Sequence, residues 1–295
     1  MTALLLGALG LLLSLVAPGL LAAARWPDRA PAPAVVLWQA ITLAGVLCAL
    51  GVVLAGPEEL IRAFRGDRRI AIVALIAALA VAAVIVLRLL ISLGGVMWRS
   101  RARRARHRLL VDLLDRAEQR HGLDVEGLRV LDGAQPLAYC VAGRSPRVVL
   151  SGGALDVLNA TQIAAVIAHE QAHLRHRHEL VRESFTAFYQ AVPRPLRSRA
   201  PLDAVRLLLE MVADDAAARR SGAASVRGAL TLLSDGGDEV GGAGRDRRLS
   251  RLTDPPPRSL ALSVIVLVGA VALLVLPTLV VVVPWLSVAV SNWPL

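Results

Sequence analysis

Two histidines and a glutamate are spaced so that they could form a metal site. His169, Glu170 and His173 make up the pattern His-Glu-x-x-His within an apolar stretch that predicts a helix. Residues four apart share one face of a helix, so the two imidazoles could hold one zinc ion. Glu170 lies beside them and could take a proton from a water molecule that the metal activates. The alternative is a basic surface helix, because residues 175–178 read Arg-His-Arg-His.

A catalytic zinc site needs a third protein ligand and one open position, and two residues compete for the third place. His176 continues the face of His169, but seven residues of helix rise about 10 Å, too far for one ion to reach both. Glu210, on a later predicted helix, is the better candidate. Asp214 shares its face and would accept a hydrogen bond from the free ring nitrogen of a zinc histidine. The alternative is an exposed carboxylate pair, with Asp215 as a further solvated or Arg-bonded neighbour.

The polar region 99–259, which contains all of these residues, is predicted to be an α+β domain. Strands are predicted at residues 128–131, 137–141 and 148–150, and helices at residues 109–121, 162–184 and 202–220. Asn159 is placed to cap the helix that carries the motif. The stretch 234–244 is rich in Gly and Asp and predicts a flexible surface loop.

Composition indicates that the chain is a membrane protein. It has 295 residues, of which 56% are hydrophobic, and a net charge of +10. Four apolar stretches could cross a bilayer, which predicts three spans in residues 1–98 (3–24, 35–55 and 70–98), a polar domain at 99–259, a fourth span at 260–283 and a short tail at 284–295. The first stretch could instead be a signal peptide, but no positive side chain precedes it. Arg88, inside the third stretch, could reach the interface or act as a functional charge within the bundle.

The two cysteines and the basic charge exclude several classes of site. Cys48 lies in an apolar span and Cys140 in the polar domain, so no disulfide is expected, and without a Cys-x-x-Cys pair any metal must use His and carboxylate. Every basic residue is Arg, which is typical of a GC-rich bacterial genome. In a membrane protein such charge usually anchors the chain to anionic lipid, so we expect no direct nucleic-acid binding.

The distribution of arginine predicts the orientation of the chain in the membrane. Six arginines lie between Arg99 and Arg108, and others precede the fourth span, whereas residues 291–295 carry no charge. We therefore expect the polar domain in the cytoplasm and both termini outside a bacterial plasma membrane. The second loop, residues 57–69, then lies outside although it holds four arginines, which is the one observation against this orientation.

The motif His-Glu-x-x-His, followed by Glu210-Met-Val-Ala-Asp214, resembles the gluzincin pattern of two groups of membrane peptidases. One is the HtpX-type housekeeping protease and the other the BlaR/MecR-type antibiotic-sensing metallopeptidase. Residues 136–180 resemble the second group more closely, and HtpX-type enzymes usually place spans between the motif and the glutamate, where residues 181–203 are not apolar enough. The resemblance implies a membrane bundle of four transmembrane helices with a cytoplasmic zincin-like domain. It also implies one Zn²⁺ held by His169, His173 and Glu210, with Glu170 as general base.

Two departures from the BlaR/MecR pattern bear on function. Sensing members carry a penicillin-binding domain after the fourth span, and this chain ends shortly after it, so we expect no direct β-lactam binding. The family often has an acidic residue where His178 stands. The resemblance still implies a zinc endopeptidase whose partner is a cytoplasmic transcriptional repressor of the BlaI/MecI type.

Two other functions stay open on the sequence alone. One is an HtpX-like protease that degrades damaged membrane proteins, and the other is a catalytically silent membrane signal relay. The presence of both Glu170 and Glu210 argues against the relay. For a peptidase, we expect the substrate strand to add to an edge strand near residues 147–150. His176, His178 and Tyr189 are candidate oxyanion donors, although the sequence favours a structural role for each.

Overall fold

The computed structural model describes residues 2–63, 68–115, 125–194, 197–233, 241–257 and 259–291. The first part contains α1 (Thr2–Leu11), a π-helical turn (Leu12–Val16), α2 (Ala17–Ala23), a 3₁₀ turn (Trp26–Arg29), α3 (Pro31–Ala63) and α4 (Arg68–Leu113). The middle part contains β1 (Leu128–Leu131), β2 (Ala138–Val141), β3 (Arg147–Ser151), α5 (Gly152–Val157) and α6 (Ala160–Arg175). The last part contains α7 (His178–Ala191), α8 (Ala200–Ser221), α9 (Ala223–Leu232), α10 (Gly241–Thr253) and α11 (Leu260–Ser291).

The chain divides into two compact units. The first unit comprises residues 1–92, 188–201 and 259–295, and the second comprises residues 93–187 and 202–258. In the first unit, α3 packs against α1 and α11. Leu13, Ile41 and Ala44 are buried between these helices and Leu273 lies against them. Side chains on the opposite faces, such as Leu4 and Val264, are exposed, as expected of helices whose outer faces meet lipid.

Four helices in the described part of the chain are long and apolar enough to cross a membrane, judged by length and composition. They cover Ala3–Ala23, Pro31–Val53, Ile72–Leu113 and Leu260–Val280. The third candidate is part of a single helix, α4, which continues without a break to Leu113. The predicted helix 109–121 is therefore, in its described part, the end of this long helix. Residues 116–124 lie outside the described residues.

Arg88 has a protein partner within the first unit. Its Nε donates to the carbonyl of Ala191, at the end of α7, over 2.5 Å. Arg197 donates to the neighbouring carbonyls of Val192 and Gln190 over 2.8 and 2.7 Å. The last carbonyls of a helix have no partner within the helix. Arg88 thus stabilises the end of α7, a role that the sequence did not predict.

The second unit contains a three-stranded sheet with the order β1-β3-β2. β3 runs parallel to β1, with Leu128 opposite Val148, and antiparallel to β2, with Ala138 opposite Leu150. The predicted strands agree with these positions to within one residue at each end. The sheet order corrects one expectation, since β3 is the central strand and residues 147–150 have no free edge to offer a substrate.

Alternation along β3 explains how the sheet is covered on both faces. Val148 and Leu150 point to one side, where they pack with Ile163 and Val166 of α6. Val149 points to the other side and packs with Val111 near the end of α4. The helix that carries the His-Glu-x-x-His pattern is thus fixed against the sheet by its own apolar face.

Local signals set both ends of α6. Asn159 and Gln162 form a capping box, in which Asn159 Oδ1 accepts from the backbone N–H of Gln162 over 3.0 Å and Gln162 Oε1 accepts from that of Asn159 over 2.9 Å. The helix ends at Arg175, and Arg177 takes the left-handed conformation with φ 50°. The prediction of one helix over residues 162–184 is therefore wrong. The chain turns at residues 176–177 and begins a new helix, α7, at His178.

The predicted loop 234–244 is also corrected in part. Residues 234–240 lie outside the described residues, but α10 begins at Gly241 and continues to Thr253. Its buried side chains, among them Leu252, pack with Ala168 of α6 and Ala217 of α8. Packing on these helices overrides the weak helical propensity of the glycines at its start.

Gly153, at the start of α5, is expected to be essential for stability. An added Cβ there would lie 2.2 Å from the carbonyl oxygen of Ala134. We expect Gly153→Ala to reduce the free energy of unfolding by about 1–3 kcal/mol, the usual cost of overpacking. Thermal unfolding of the detergent-solubilised protein measures this. Gly133→Ala is the control, because its added Cβ would meet only Ser151 Cβ at 4.0 Å. Equal melting temperatures for the two variants would contradict the steric argument.

Candidate metal centre

Three side chains from two helices converge in the second unit. His169 and His173 come from α6, one helical turn apart, and Glu210 comes from α8. The two Nε2 atoms are 3.1 Å apart. Glu210 Oε2 lies 3.3 Å from His169 Nε2, and Glu210 Oε1 lies 3.4 Å from His173 Nε2. The three residues form a group that could hold one metal ion.

The spacing of these atoms fits a zinc ion. Ligands that bind Zn²⁺ tetrahedrally with bonds of about 2.0–2.1 Å stand about 3.3 Å from one another. The three separations, 3.1, 3.3 and 3.4 Å, lie close to that value. Two imidazoles and one carboxylate are also the donor set of known catalytic zinc sites. The residues present therefore fit the predicted metal.

Asp214 contacts His169 at the ring nitrogen that faces away from the metal group. His169 Nδ1 lies 3.0 Å from Asp214 Oδ1, so that this ring nitrogen donates to the carboxylate while Nε2 faces the metal group. Asp214 is only 1% exposed. Burial raises the pKa of Asp214, but the positive charge of Arg248 and the hydrogen bond from His169 outweigh it and hold that pKa below its usual value. The charged carboxylate is placed to accept from His169 Nδ1, the contact that the sequence analysis predicted, and its role in a metal site stays a prediction.

His178 contacts His173 at the ring nitrogen that faces away from the metal group. The turn at residues 176–177 brings His178 Nδ1 to 2.9 Å from His173 Nδ1. Burial, and after it the charges of His173 and His176, lower the pKa of His178 to about 3. A neutral imidazole can accept the Nδ1 proton of His173 and leave Nε2 free for the metal. Sequence reasoning considered His178 as an oxyanion donor or a structural residue and missed this contact.

Hydrogen bonds between the side chains of the metal group shift the pKa values of His169 and Glu210. Burial lowers the pKa of His169, but the hydrogen bonds with Asp214 and Glu210 outweigh it and raise the pKa to about 10. Burial raises the pKa of Glu210, and the hydrogen bonds with His169 and His173 reverse this and hold it well below its usual value. These shifts favour a charged pair between the His169 imidazole and the Glu210 carboxylate. Metal and proton compete for this group.

A cleft of about 190 Å³ opens over the metal group. Glu170 lines it, as do Tyr139 and Cys140 of the edge strand β2. Ala229 and Leu230 of α9 form an apolar part of its wall. Burial, and then the charge of Glu170, raise the pKa of the Cys140 thiol, so this cysteine is a neutral neighbour of Glu170 rather than a thiolate. Both cysteines are free, as expected.

Other residues singled out in the sequence lie elsewhere. His176 is exposed at the end of α6 and stacks on His178, with ring centroids 5.7 Å apart. Tyr189 belongs to the first unit, where Arg197 lies over its ring. Asp215 forms a two-pronged ion pair with Arg251, over 2.7 and 2.9 Å. This agrees with the expectation that Asp215 bonds to a nearby Arg.

Replacing His178 tests its contact with His173. We expect His178→Ala to weaken zinc binding by about 10–100-fold, the usual effect of removing the partner of a metal-bound histidine. Competition with a chromophoric chelator measures the affinity. His176→Ala is the matched control, because His176 is exposed two residues away and does not contact a proposed ligand among the described residues. An unchanged zinc affinity in His178→Ala would show that His173 does not depend on this contact.

Comparison with known proteins agrees with the chemistry of the cleft. Residues 100–219 match the model of peptidase family M48. The protease HtpX homologue of Acidiphilium cryptum is 38% identical over 74 residues, which are 24% of this chain and 25% of the relative. That of Pelotomaculum thermopropionicum is 34% identical over 86 residues, 28% of this chain and 30% of the relative. That of Salinibacter ruber is 38% identical over 71 residues, 23% of this chain and 25% of the relative.

The family match includes the three proposed metal ligands, and each match to a relative covers about a quarter of this chain. The chain spans 25–30% of the length of these relatives. No solved structure matches it. The family match and the relatives support the prediction of a metallopeptidase, and they favour HtpX-like proteases over the BlaR/MecR type. They give no support to cleavage of a repressor.

Proposed function

We propose that this protein is a multi-pass membrane zinc endopeptidase that cleaves other membrane proteins. One observation carries the proposal, namely the convergence of His169 Nε2, His173 Nε2 and the Glu210 carboxylate at separations of 3.1–3.4 Å. These atoms lie on a cleft that Glu170 also lines. The match to peptidase family M48 supports the reaction type. The four apolar helices support the membrane location.

Each residue of the centre has a distinct role in this proposal. His169, His173 and Glu210 hold the metal, while Asp214 and His178 fix the two imidazole rings. A bound zinc ion would supply Lewis-acid activation of a water molecule and of the substrate carbonyl. The Glu170 carboxylate would accept a proton from the attacking water and deliver it to the nitrogen of the leaving amine. The carbon–nitrogen bond of the peptide then breaks, with a new carboxylate on one product and a free amine on the other.

We expect a substrate strand to bind along β2, which is an outer strand of the sheet in the described part of the chain. β2 lies at the edge of the sheet, and its residues 138–140 line the cleft beside the metal group. An extended peptide can add to such an edge through main-chain hydrogen bonds, which tolerate many sequences. Main-chain recognition suits a protease that must accept diverse unfolded segments. The expected site of substrate-strand binding therefore changes from residues 147–150 of β3, the central strand, to β2 at the edge of the sheet.

Two substrate classes remain in competition. The HtpX relatives support a quality-control protease that removes damaged membrane proteins. A cytoplasmic transcriptional repressor is the second candidate. Among the residues described between His173 and Glu210, no helix is long and apolar enough to cross a membrane, which is the layout of the BlaR/MecR type. We place the second unit in the cytoplasm for either substrate, because six arginines lie between Arg99 and Arg108.

Metal removal and return test the reaction, and the choice of substrate tests the class. The full-length protein is reconstituted in lipid vesicles with a destabilised multi-pass membrane protein, and separately with a soluble dimeric repressor. We expect fragments of the membrane protein to appear with zinc, to stop with a chelator, and to return when zinc is restored. Cleavage of the repressor alone would favour the second candidate. If the protein binds zinc and cuts neither substrate, the peptidase proposal fails and the silent relay is favoured.

A further inference from the structure

A buried arginine on α10 contacts two carboxylates of the metal centre. Arg248 is 5% exposed. Its Nε donates to Asp214 Oδ2 over 2.8 Å, and its Nη2 donates to Asp214 Oδ1 over 2.9 Å. Its Nη1 lies 3.3 Å from Glu210 Oε2. One planar guanidinium therefore contacts both Glu210, the proposed third metal ligand, and Asp214, the hydrogen-bond partner of His169. The forked N–H groups of Arg suit two such contacts.

These contacts meet at a single histidine. Asp214 Oδ1 accepts from Arg248 and also faces His169 Nδ1 at 3.0 Å. Glu210 Oε2 lies 3.3 Å from both Arg248 Nη1 and His169 Nε2. Both sides of the His169 ring are thus touched by carboxylates that the same guanidinium holds. The guanidinium also brings a positive charge to the buried carboxylate of Asp214.

A second ion pair joins the same two helices, α8 and α10, and involves none of the proposed metal ligands in the described part of the chain. Arg251, one turn after Arg248 on α10, pairs with Asp215, next to Asp214 on α8, over 2.7 and 2.9 Å. Both pairs fasten α10 to α8 through two parallel hydrogen bonds. Asp215 contacts neither the histidines nor Glu210 within the described part of the chain. The two arginines therefore share the fastening role and differ in their contact with the metal centre.

We propose that Arg248 is a positioning residue of the metal centre, which holds Asp214 and Glu210 in the orientation that presents His169 to the metal. The inference rests on the proposed function of these residues as a zinc site. α10 lies beyond residues 100–219, which match the peptidase family. The metal centre is consequently completed by the segment that precedes the last apolar helix, α11, and nothing in the motif itself reveals this dependence.

Three variants of the full-length protein separate positioning from fastening. Arg248→Gln removes the charge and the fork, Arg248→Lys keeps the charge alone, and Arg251→Gln breaks only the matched pair. Zinc affinity is measured by competition with a chelator, and the visible spectrum of the Co²⁺-loaded protein reports the ligand geometry. We expect Arg248→Gln to weaken zinc binding by about 10–100-fold and to change the Co²⁺ spectrum. We expect a smaller loss for Arg248→Lys and an affinity within about threefold of wild type for Arg251→Gln, since its partner lies outside the contacts of the metal centre.

The opposite results are equally informative. Equal losses of zinc affinity in Arg248→Gln and Arg251→Gln would mean that both arginines only fasten α10, and the proposal would be wrong. If Arg248→Gln does not fold, Asp214→Asn combined with Arg248→Lys decides the matter. Positioning through Asp214 requires that the double variant lose less zinc affinity than the sum of the losses in Asp214→Asn and Arg248→Lys, and fully additive losses would overturn it.

Metal binding and peptide cleavage are separate readouts in this design. A wild-type protein that binds zinc but cuts no substrate would remove the proposed peptidase function, while the ranking of the variants by zinc affinity still decides the role of Arg248. A wild-type protein that binds no zinc would remove both.

Discussion

Glu170→Gln is expected to stop hydrolysis and leave zinc binding intact. The amide has nearly the shape of the carboxylate but cannot accept a proton from water, so the attacking and leaving steps both lose their proton carrier. General acid–base catalysis of this kind usually contributes about 10²–10⁴-fold to the rate. Glu170 lines the cleft but is not one of the three residues that converge as the metal group. Measured on the same preparation, the variant should therefore have the zinc content of wild type and a cleavage rate about 10²–10⁴-fold lower.

A matched control makes the result specific. Glu179→Gln also removes a carboxylate from the second unit, on α7, and should cleave at the rate of wild type. If Glu170→Gln retains its rate, another group carries the proton and the assignment is wrong. If the Glu170→Gln variant loses zinc together with activity, Glu170 contributes to metal binding rather than to proton transfer. Because the variant keeps its binding cleft, it should also trap bound substrate for identification by cross-linking.

Glu210→Gln should lose both the metal and the activity. The change removes the one anionic ligand of the proposed set and leaves two neutral imidazoles, which hold zinc much more weakly. The loss of affinity should exceed the roughly 10–100-fold cost of removing an outer partner such as His178. The substitution also leaves the buried Arg248 with one fewer carboxylate at 3.3 Å, so some loss of thermal stability is expected with it.

The measurement is the metal content of the purified protein together with chelator competition. Asp203→Asn is the control on the same helix, because Asp203 lies at the first turn of α8 and its side chain is 62% exposed. It should bind zinc as wild type does. A Glu210→Gln protein with full zinc content would show that another residue supplies the third ligand. The geometry of the centre would then need a different account.

Much of the site could be predicted because it depends on local spacing. Residues four apart must share a helical face, so His169 and His173 face one point whatever else the chain does. The same rule linked Glu210 to Asp214 on α8. The sequence also predicted a short strand at residues 148–150, because its apolar run is bounded by turn residues, but it did not predict that this strand is central. The apolar stretches predicted the candidate membrane helices by their length.

Other contacts depend on chain turns and distant packing, which spacing does not reveal. A continuous helix over residues 162–184 would carry His178 away from His173, since five residues rotate a helix well past one turn. The left-handed residue Arg177 ends α6 and returns His178 to 2.9 Å from its partner. Arg248 is separated from Asp214 by 34 positions, and no periodicity connects them. The choice between β2 and β3 as the open edge likewise required the strand order.

Residue types and their spacing were enough to identify which side chains could bind a metal, which carboxylate could move a proton, and which apolar stretches are long enough to span a membrane. These follow from side-chain chemistry and from the fixed periods of helix and strand. The folded chain was needed to show that the donor atoms of His169, His173 and Glu210 meet at zinc-like separations. It was also needed to show that His178 contacts His173 and that Arg248 contacts Asp214. Contacts of this kind depend on a chain turn or on segments far apart in the chain, and the packing of the whole unit brings such segments together.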